Sequence, residues 1–297
     1  GAAVAGHNVV RNNTIAHGGR LHPAGIGVWI GLAAHNTVES NDIFDFYYSG
    51  LSVGWTWGYG PTPANHNVIE NNHVFQIGQG VLSDMGGIYT LGLSPGTVIR
   101  HNCFHDIESF DYGGWGIYFD EGSTGIVAEN NLVYGTKTGG FHQHYGRENT
   151  VRNNIFAFAR VGQLQRSRDE QHLGFTFEHN LVYWTEGPLL HGNWNSPTGF
   201  AINHNLYWNA AGDAIAFAGQ TLEQWQAKGR DRDSRIADPQ FADPAKGDFR
   251  LATGSPAAQV GFVPFPLTGF GRQTAVSAEA RKPFPPAFPP PPPPPPP

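Results

Sequence analysis

The sequence predicts an all-β, single-stranded parallel β-helix of about eight turns, on three observations. A six-residue motif recurs along most of the chain, strands that begin at glycine lie between its copies, and the composition suits turns and sheets. Charged residues make up only 14% of the 297 residues, whereas 39 glycines and 13% aromatic residues favour a β-rich interior. A repeat of 24 to 31 residues with this content is typical of a β-solenoid, in which each repeat forms one turn of a coil.

The motif reads apolar, polar, polar, Asn, any residue, apolar, and first occurs at residues 10–15. Asparagine tolerates the left-handed backbone region, so we expect each motif Asn to turn one strand sharply into the next. Turns stack about 4.8 Å apart, so these side chains should form a hydrogen-bonded ladder. The apolar positions three before and two after the Asn are expected inside. The motif asparagines are Asn13, Asn41, Asn72, Asn102, Asn130, Asn154, Asn180 and Asn205.

A further strand in each turn begins at glycine and alternates in polarity. This alternation places Val28, Leu51, Ile88, Ile117 and Phe141 inside and predicts two outward columns, while the sixth turn fits either register. Turns one, three and four carry longer loops before this strand, and Asp84 and Asp111 lie in those loops. The first outward column contains Trp29, Ser52, Tyr89, Tyr118 and His142, and the second contains Asp120, His144 and His191.

The sequence divides into three parts, of which residues 1–218 are the predicted β-helix. Residues 219–272 are predicted to be a C-terminal cap helix and wrapping segment, because a solenoid needs its open end covered. Residues 221–228 read as its short helix, with Thr221 and Gln224 as a capping box and Gly229 as the stop. The following segment, residues 237–241, is expected to cover the same end. Residues 273–297 end in a proline run and are predicted to be a disordered tail.

Bulk composition excludes several classes of protein. A net charge of −6 and a pI near 6.1 argue against a nucleic-acid partner. No apolar run is long enough for a transmembrane helix. The single cysteine, Cys103, excludes an intramolecular disulfide and is expected to be inert. The chain opens without a signal peptide, so we expect a processed or truncated piece of a secreted, periplasmic or cell-surface protein, and a monomer.

Two carboxylates are the candidate catalytic groups. Hydrolysis of a glycoside uses one carboxyl group as acid and a second as nucleophile or base. Asp84 and Asp120 lie on adjacent predicted turns, so stacking can bring them within reach of one glycosidic bond. The alternative is that Asp84 only caps its Gly-Gly turn. Asp111 repeats the position of Asp84 one turn later, and Glu121 is expected to point to the other face if the strand extends that far.

Aromatic and histidine side chains of the outward columns are the candidate substrate-binding groups. Such rings pack against the apolar faces of sugars, although they also stack on each other along a β-helix. His142 and His144 share a strand face, but no third ligand follows at close spacing, so neither a metal nor another cofactor is predicted. The substrate-binding set is Trp29, Trp55, Trp57, Tyr89, Trp115, Tyr118, His142, His144 and His191, with Glu121 and Asp111.

The Asn ladder, the piece from Asp84 to Tyr89, the piece from Gly116 to Gly125 and the ADPQFADP ending together resemble right-handed parallel β-helix carbohydrate-active enzymes. The named group that they resemble is glycoside hydrolase family 141, which includes α-L-fucosidases and xylanases, and more distantly the β-xylosidases of family 120. The resemblance covers residues 7–265 and implies a right-handed coil with Asp84 and Asp120 as catalytic pair. The chain departs from family 141 in being shorter, without its front turns.

The sequence therefore predicts a glycosidase that cleaves a plant-type or algal polysaccharide or oligosaccharide. Two alternatives remain open. A polysaccharide lyase or uronate epimerase on the same fold would need a basic residue or a Ca²⁺ site to acidify the proton next to a carboxylate. A non-catalytic carbohydrate-binding or surface β-helix would need neither carboxylate.

Overall fold

A computed structural model describes residues 5–273 as a coil of three parallel β-sheets that run along one axis. Each of the first seven turns contributes one strand to each sheet, and neighbouring strands in a sheet come from consecutive turns. Strand Val98–Arg100, for example, lies between Val68–Glu70 and Val127–Glu129 in parallel register. The all-β parallel solenoid of about eight turns, with one short helix near its C-terminal end, is confirmed for the described part of the chain.

The strands group by sheet as follows, for residues 5–273. The first sheet contains Val9–Arg11, Thr37–Glu39, Val68–Glu70, Val98–Arg100, Val127–Glu129, Asn149–Arg152, Phe175–Glu178 and Phe200–Asn203. The second sheet contains Thr14–Ala16, Asp42–Phe46, His73–Ile77, Cys103–Ile107, Leu132–Thr136, Ile155–Ala157, Leu181–Trp184, Leu206–Asn209 and Arg235–Ile236. The third sheet contains Val28–Ile30, Leu51–Val53, Gly86–Thr90, Trp115–Phe119, Gly139–Gln143, Leu164–Arg166 and Leu190–Gly192. Short pairs join Ser123–Thr124 to Gly146–Arg147 and Phe241–Asp243 to Asp248–Leu251.

A ladder of buried asparagines connects the turns between the first and second sheets. The side-chain oxygen of Asn102 accepts from the backbone N–H and the side-chain amide of Asn72, each at 3.0 Å. The Asn102 amide donates in turn to Asn131 at 3.0 Å and to the backbone carbonyl of Ile69 at 2.9 Å. The same contacts run from Asn13 to Asn205, as the motif predicts.

The structure corrects two details of this ladder. Its fifth member is Asn131 and not Asn130, because Asn131 bonds to both Asn102 and Asn154. The left-handed residue is also not the ladder Asn but the one before it, such as Asn71 at φ 54° or His101 at φ 52°. The turn is therefore made one residue earlier, which leaves the ladder amide free to point inward and bond along the axis.

The apolar positions flanking the ladder form the core, as predicted. Ile69 and Ile99 on the first sheet and Val74 and Phe104 on the second are fully buried in one cluster. Polar positions of the first sheet face outward, where Arg100 forms an ion pair with Glu70 at 2.7 Å.

The short helix closes the C-terminal end of this core. Helix α1, Leu222–Ala227, begins at Thr221 with the predicted capping box to Gln224. Trp225 is fully buried and stacks on Phe200 at a centroid distance of 6.2 Å and on Phe217 at 6.1 Å. The aromatic face of the helix thereby replaces the next turn of the coil.

The segment after the helix does not cover the end of the coil as expected. Strand Arg235–Ile236 extends the second sheet, so the coil continues past residue 218. The chain from 237 to 273, called here the return segment, then runs back outside the second sheet. Its Val260 carbonyl contacts His179 at 2.6 Å, its Val263 N–H donates to Asn153 at 2.7 Å, and its Gln273 N–H donates to Asn12 at 2.7 Å. The segment covers a row of apolar side chains that a single coil would leave exposed.

No helix within residues 5–273 has both the length and the apolar character needed to cross a bilayer. The predicted proline-rich tail lies outside these residues, apart from Gln273.

Replacing one ladder amide should destabilise the coil strongly. Asn102→Ala removes the acceptor of the Asn72 backbone N–H and of one N–H of the Asn72 amide, and each buried donor left without a partner costs about 1–3 kcal/mol. We expect a loss of roughly 2–4 kcal/mol in the free energy of unfolding, measured by urea denaturation. Asn195→Ala, at an exposed position outside the ladder, is the control and should unfold like the wild type. Equal midpoints for both variants would contradict the ladder's structural role.

Candidate active site

The outward face of the third sheet carries two columns of polar and aromatic side chains. The first follows the predicted order, since Trp29 pairs with Ser52, Tyr89 with Tyr118, and Tyr118 with His142. The sixth turn, which the sequence leaves open, places Leu164 inside and Gln165 in this column. His191 also belongs here, because it pairs with Gln165, and its predicted place in the second column is wrong.

A rigid loop holds Asp84 beside the third sheet. Met85 is fully buried in the core, and the phenol of Tyr48 donates to the Asp84 carbonyl at 2.8 Å. The loop of the next turn continues the stacking, because the Asp84 N–H donates to the Tyr112 carbonyl at 3.0 Å. Asp84 adopts φ 56°, a left-handed conformation that aspartate tolerates better than most residues. The loop thus directs the Asp84 carboxylate toward the sheet.

Asp120 is held at the end of a strand one turn later. It follows Trp115–Phe119 and is only 5% exposed. Its N–H donates to the Thr90 carbonyl at 3.0 Å, which fixes its height against the previous turn. The phenol of Tyr89 donates a short hydrogen bond to its carboxylate.

Two adjacent phenols hold the two carboxylates. Tyr118 donates to Asp84 Oδ1 at 3.0 Å, and Tyr89 donates to Asp120. The two tyrosine rings pack edge to face with their centroids 4.9 Å apart. Glycoside hydrolases place two carboxyl groups on either side of one glycosidic bond. Asp84 and Asp120 face the same side of the coil, as such chemistry requires.

The environment of Asp84 favours its protonated form. Burial raises the pKa of Asp84 above its usual value, and the charge of Asp120 raises it further. The Tyr118 hydrogen bond and the nearby His144 act in the opposite direction but do not cancel the rise. The pKa values of Tyr89 and Tyr118 are raised as well, by burial and by the charge of Asp120, so both remain neutral hydrogen-bond donors.

The alternative role of Asp84 as a turn cap receives no support from its contacts. Its side chain bonds to Tyr118, whereas the N–H of Gly86 in the Gly-Gly turn donates to Ser49 Oγ at 3.3 Å.

The expected aromatic shelf is only partly exposed. Tyr89, Trp115 and Tyr118 are 6%, 2% and 3% exposed and form a buried cluster, so their predicted role as exposed sugar-stacking rings is wrong. His142 is equally buried, stacking on Tyr118 with ring centroids 4.8 Å apart. Loops and stacked neighbours cover these rings, which leaves them to orient the two carboxylates.

The tryptophans at the N-terminal side of the same face remain exposed. Trp29, Trp55 and Trp57 are 53%, 40% and 55% exposed and pack edge to face, with centroids 4.9 and 5.1 Å apart. The insertion that carries Trp55 and Trp57 folds against the end of the third sheet. There the Cβ of any residue replacing Gly122 would lie 2.1 Å from the Gly58 carbonyl oxygen. The exposed rings thus form one wall beside the carboxylate pair.

The rival carboxylates differ in position. The strand ends at Phe119, so its alternation does not extend to Glu121, which lies on the same side as Asp84 and adds to the rise in its pKa. The Glu121 carboxylate accepts a hydrogen bond from the Tyr145 phenol at 3.0 Å. Asp111 is exposed, and its contacts are made by its backbone, with Ser83 and Lys137. Asp111 therefore lies outside the carboxylate group.

The histidines of the third sheet do not form a metal-binding triad. His142 bonds to Ser167 through Nε2 at 2.7 Å, and its ring centroid lies 6.4 Å from that of His144. Within residues 5–273, His142, His144 and His191 do not converge on a point that three ligand atoms could share. Gln143 pairs with Phe119, so the next residue, His144, lies beside Asp120 in the second column, as predicted. His144 is half-buried.

Sequence reasoning missed several residues of this site. Tyr48 and Tyr145 bind Asp84 and Glu121, and Arg168 lies 4.3 Å over the Tyr145 ring. Tyr59, in the insertion, donates a hydrogen bond to Glu170, which lies in a loop more than a hundred positions later in the chain. Tyr145 could have been found by extending the strand beyond His144. The Tyr59–Glu170 contact leaves no signal in the repeat pattern, because both residues lie in irregular loops.

The fold and the paired acids define a parallel β-helix protein with an acidic site on one sheet. The family described as "Right handed beta helix region" matches residues 1–107 and 62–156, which together exceed half of the 297 residues. The chain belongs to this right-handed β-helix family. A solved structure titled "Glycoside hydrolase" shares 24% identity over 51% of this chain, with a TM-score of 0.43, and the match covers 26% of that structure's chain. A search of curated protein sequences gave no match.

The raised pKa of Asp84 predicts a stability effect that depends on pH. In the unfolded chain its carboxyl titrates near pH 4, so above that pH the folded state retains a proton that the unfolded state has lost. Stability therefore falls as pH rises through this window, and the penalty remains above it. Asp84→Asn removes the ionisation and keeps the shape, so we expect the variant to be more stable than wild type at pH 7.

The gain should shrink toward zero as the pH approaches 4, as measured by urea midpoints from pH 4 to 8. Asp111→Asn is the control at the equivalent loop position, where the side chain is exposed, and should show no such trend. A difference between Asp84→Asn and wild type that stays constant across this pH range would contradict the raised pKa.

Proposed function

We propose that the chain is a glycoside hydrolase that cleaves a plant-type or algal polysaccharide or oligosaccharide. The observation that carries the proposal is that Asp84 and Asp120 accept hydrogen bonds from two packed phenols, Tyr118 and Tyr89, on one face of the third sheet. Asp84 acts as general acid and Asp120 as nucleophile or as base toward water. The resemblance to family 141 supports fucosidase- or xylanase-like activity, and a polymer outside the cell implies a secreted, periplasmic or cell-surface protein.

The roles follow from the surroundings of the two carboxyl groups. The Tyr118 phenol donates to Asp84 and the Tyr89 phenol donates to Asp120, so each carboxyl group has its own donor. Burial and the charge of Asp120 raise the pKa of Asp84. A general acid must hold its proton near working pH, whereas the partner must be ionised. Tyr89, which donates to Asp120, then orients the ionised carboxylate.

The exposed tryptophans supply a surface for sugars next to this pair. Trp29 lies on the first turn, and the insertion that carries Trp55 and Trp57 extends to the fourth turn, where the Gly58 N–H donates to the Glu121 carbonyl at 3.3 Å. Glu121 directly follows Asp120, so the insertion brings its rings toward the carboxylates. Indole faces bind the apolar faces of pyranose rings. A chain of sugars lying along the third sheet would contact both features.

The same geometry disfavours the lyase or epimerase alternative. Those reactions need a base that removes a carbon-bound proton, and tyrosine serves this purpose only with a lowered pKa. Burial and the neighbouring acids raise the pKa values of Tyr48, Tyr89 and Tyr118 instead. His142 is enclosed by Trp115 and Tyr118, which leaves its ring without access to a substrate carbon.

Leaving-group dependence should separate the two carboxylate roles. Asp84→Asn should lower kcat/KM about 10²–10⁴-fold on unactivated glycosides, because the leaving oxygen then departs without a proton. The same variant should lose much less on dinitrophenyl glycosides, whose leaving group needs no proton. Asp120→Asn should lose activity on both classes. Reducing-sugar release from wall polysaccharides and chromogenic aryl glycosides give the measurements.

Asp213→Asn, an exposed aspartate beyond the last turn, is the control and should match wild type on both classes. Ultraviolet-absorbing unsaturated products would establish a lyase and overturn the proposal. Absence of any product from wild type across the panel, with binding retained in both variants, would indicate the non-catalytic alternative.

The tryptophan wall predicts an effect on polymer binding alone. Trp57→Ala should raise KM for the polysaccharide about tenfold, which corresponds to about 1.4 kcal/mol of stacking. Hydrolysis of a monosaccharide aryl glycoside should change little, because that substrate does not extend to Trp57. Ile236→Ala, an exposed apolar residue at the end of the second sheet, is the control. Equal losses on polymer and monosaccharide would place Trp57 at the catalytic centre and contradict this role.

A further inference from the structure

Three potential metal ligands meet on the outer face of the second sheet, away from the carboxylate pair. Cys103 and His105 are two residues apart on one strand, so their side chains share a face. His73 lies directly beside Cys103 on the strand of the previous turn. The ligand atoms of the three side chains all lie within 4.8 Å of one another. The repeat has thus brought a thiol and two imidazoles to one point.

The two imidazoles face each other through the same nitrogen. His73 Nε2 and His105 Nε2 are 2.7 Å apart. The opposite nitrogen of His105, Nδ1, lies 2.9 Å from an oxygen of Asp106, and that of His73 lies 3.9 Å from Asp42. A carboxylate accepts hydrogen bonds only, so His105 carries its proton on Nδ1 and presents a lone pair at Nε2. In the metal-free chain this lone pair can accept the N–H of His73, and a metal ion would take the place of that proton.

We propose that His73, Cys103 and His105 bind one Zn²⁺ or a similar borderline-soft divalent transition metal, with a water at the fourth position. Two imidazoles and one thiolate are a ligand set that zinc prefers, in tetrahedral geometry. Asp106 on the far side of His105 supplies the outer carboxylate that orients metal-bound histidines. Cys103 binds as the thiolate and releases its proton to solvent.

The geometry requires only a small adjustment. Zn–N bonds of about 2.0–2.1 Å at a tetrahedral angle separate two nitrogens by about 3.3 Å. The imidazoles must therefore move apart by about 0.6 Å from their present contact. The His73 side chain is 32% exposed and can supply this distance by rotating about its torsions, while His105 stays stacked between Phe75 and Tyr134.

The return segment lies over one side of this site. Gly271 donates to the Asn71 carbonyl at 2.7 Å, and a Cβ at Gly271 would lie 2.9 Å from that of His73. Arg272 donates through its backbone to Asp42, the carboxylate next to His73. A metal at the three ligands would link the third and fourth turns directly below this crossing. It would stabilise the coil on a face that takes no part in glycoside chemistry.

Cobalt substitution of the intact chain tests the site. The sequence contains one cysteine, so a thiolate-to-Co²⁺ charge-transfer band in the near ultraviolet can arise only from Cys103. We expect Co²⁺ to produce this band together with tetrahedral visible bands at one equivalent. Zn²⁺ should displace the cobalt and raise the unfolding temperature. Cobalt spectra with no thiolate band would overturn the proposal, since a histidine-only site elsewhere would give that result.

Variants that keep the packing identify the ligands. His105→Phe retains a ring between Phe75 and Tyr134, and Cys103→Ala leaves only a small void. Each should lower Zn²⁺ affinity at least 100-fold in calorimetric titrations, and Asp106→Asn should lower it about tenfold. His35→Phe is the control, in the His7–His35–His66 stack that lacks a thiol. Unchanged affinity in the two ligand variants, with native circular dichroism, would contradict the site.

Discussion

The buried amide ladder is the interaction on which the rest of this structure depends. Each rung satisfies the side-chain oxygen and amide of an asparagine that is completely removed from water, and it does so only if the turns stay in one register. A slip of one residue would leave polar groups unpaired along the whole axis. The ladder therefore fixes the height of every strand, and a shorter row, Asn8, Asn36, Asn67 and Thr97, does the same between the third and first sheets in the first four turns.

Fixed register converts sequence distance into spatial neighbourhood at the carboxylate site. Asp84 and Asp120 are 36 positions apart, yet the loop of one turn and the strand end of the next bring them to the adjacent rings of Tyr118 and Tyr89. The tyrosines belong to one outward column because their strands pair residue by residue. Burial and the charge of Asp120 raise the pKa of Asp84 in this arrangement. A flexible scaffold would not keep the two acids in these surroundings.

Much of the fold could be predicted from the sequence, because a repeat reports the same physical constraint many times. The inward columns, the ladder and the capping box of α1 all follow from residue types at fixed spacing. The motif wrongly placed Asn130 in the ladder because a polar residue two positions before the Asn was not strictly required. Without that requirement, Asn130 and its neighbour Asn131 fit the pattern equally well. Placing Asn131 in the ladder moves Glu129 into that outward column, where it pairs with Arg152 at 2.7 Å. The ion pairs along this outward column therefore identify Asn131, and not Asn130, as the ladder residue.

The candidate site was harder to predict because its environment is built by irregular segments. Alternation correctly gave the direction of Tyr89 and Tyr118, but it cannot report that stacked rings and the loops around Asp84 and Tyr112 bury them. Loop-to-loop contacts such as Tyr59 with Glu170 have no periodicity at all. Likewise, His73, Cys103 and His105 each occupy an ordinary outward position, and only the pairing of two adjacent strands shows that they meet.

The course of the return segment has a consequence for how the molecule is completed. The turns leave the ribosome in order, and each can stack on the previous turn as it emerges. Residues 260–273, however, must bind to residues that lie up to 261 positions earlier in the chain. Until these residues dock, the apolar row on the outside of the second sheet remains exposed to solvent. This row contains Leu132, Ile155, Leu181 and Leu206. A chain whose return segment has not yet docked would therefore expose an apolar strip along its length, so the return segment protects the coil against self-association.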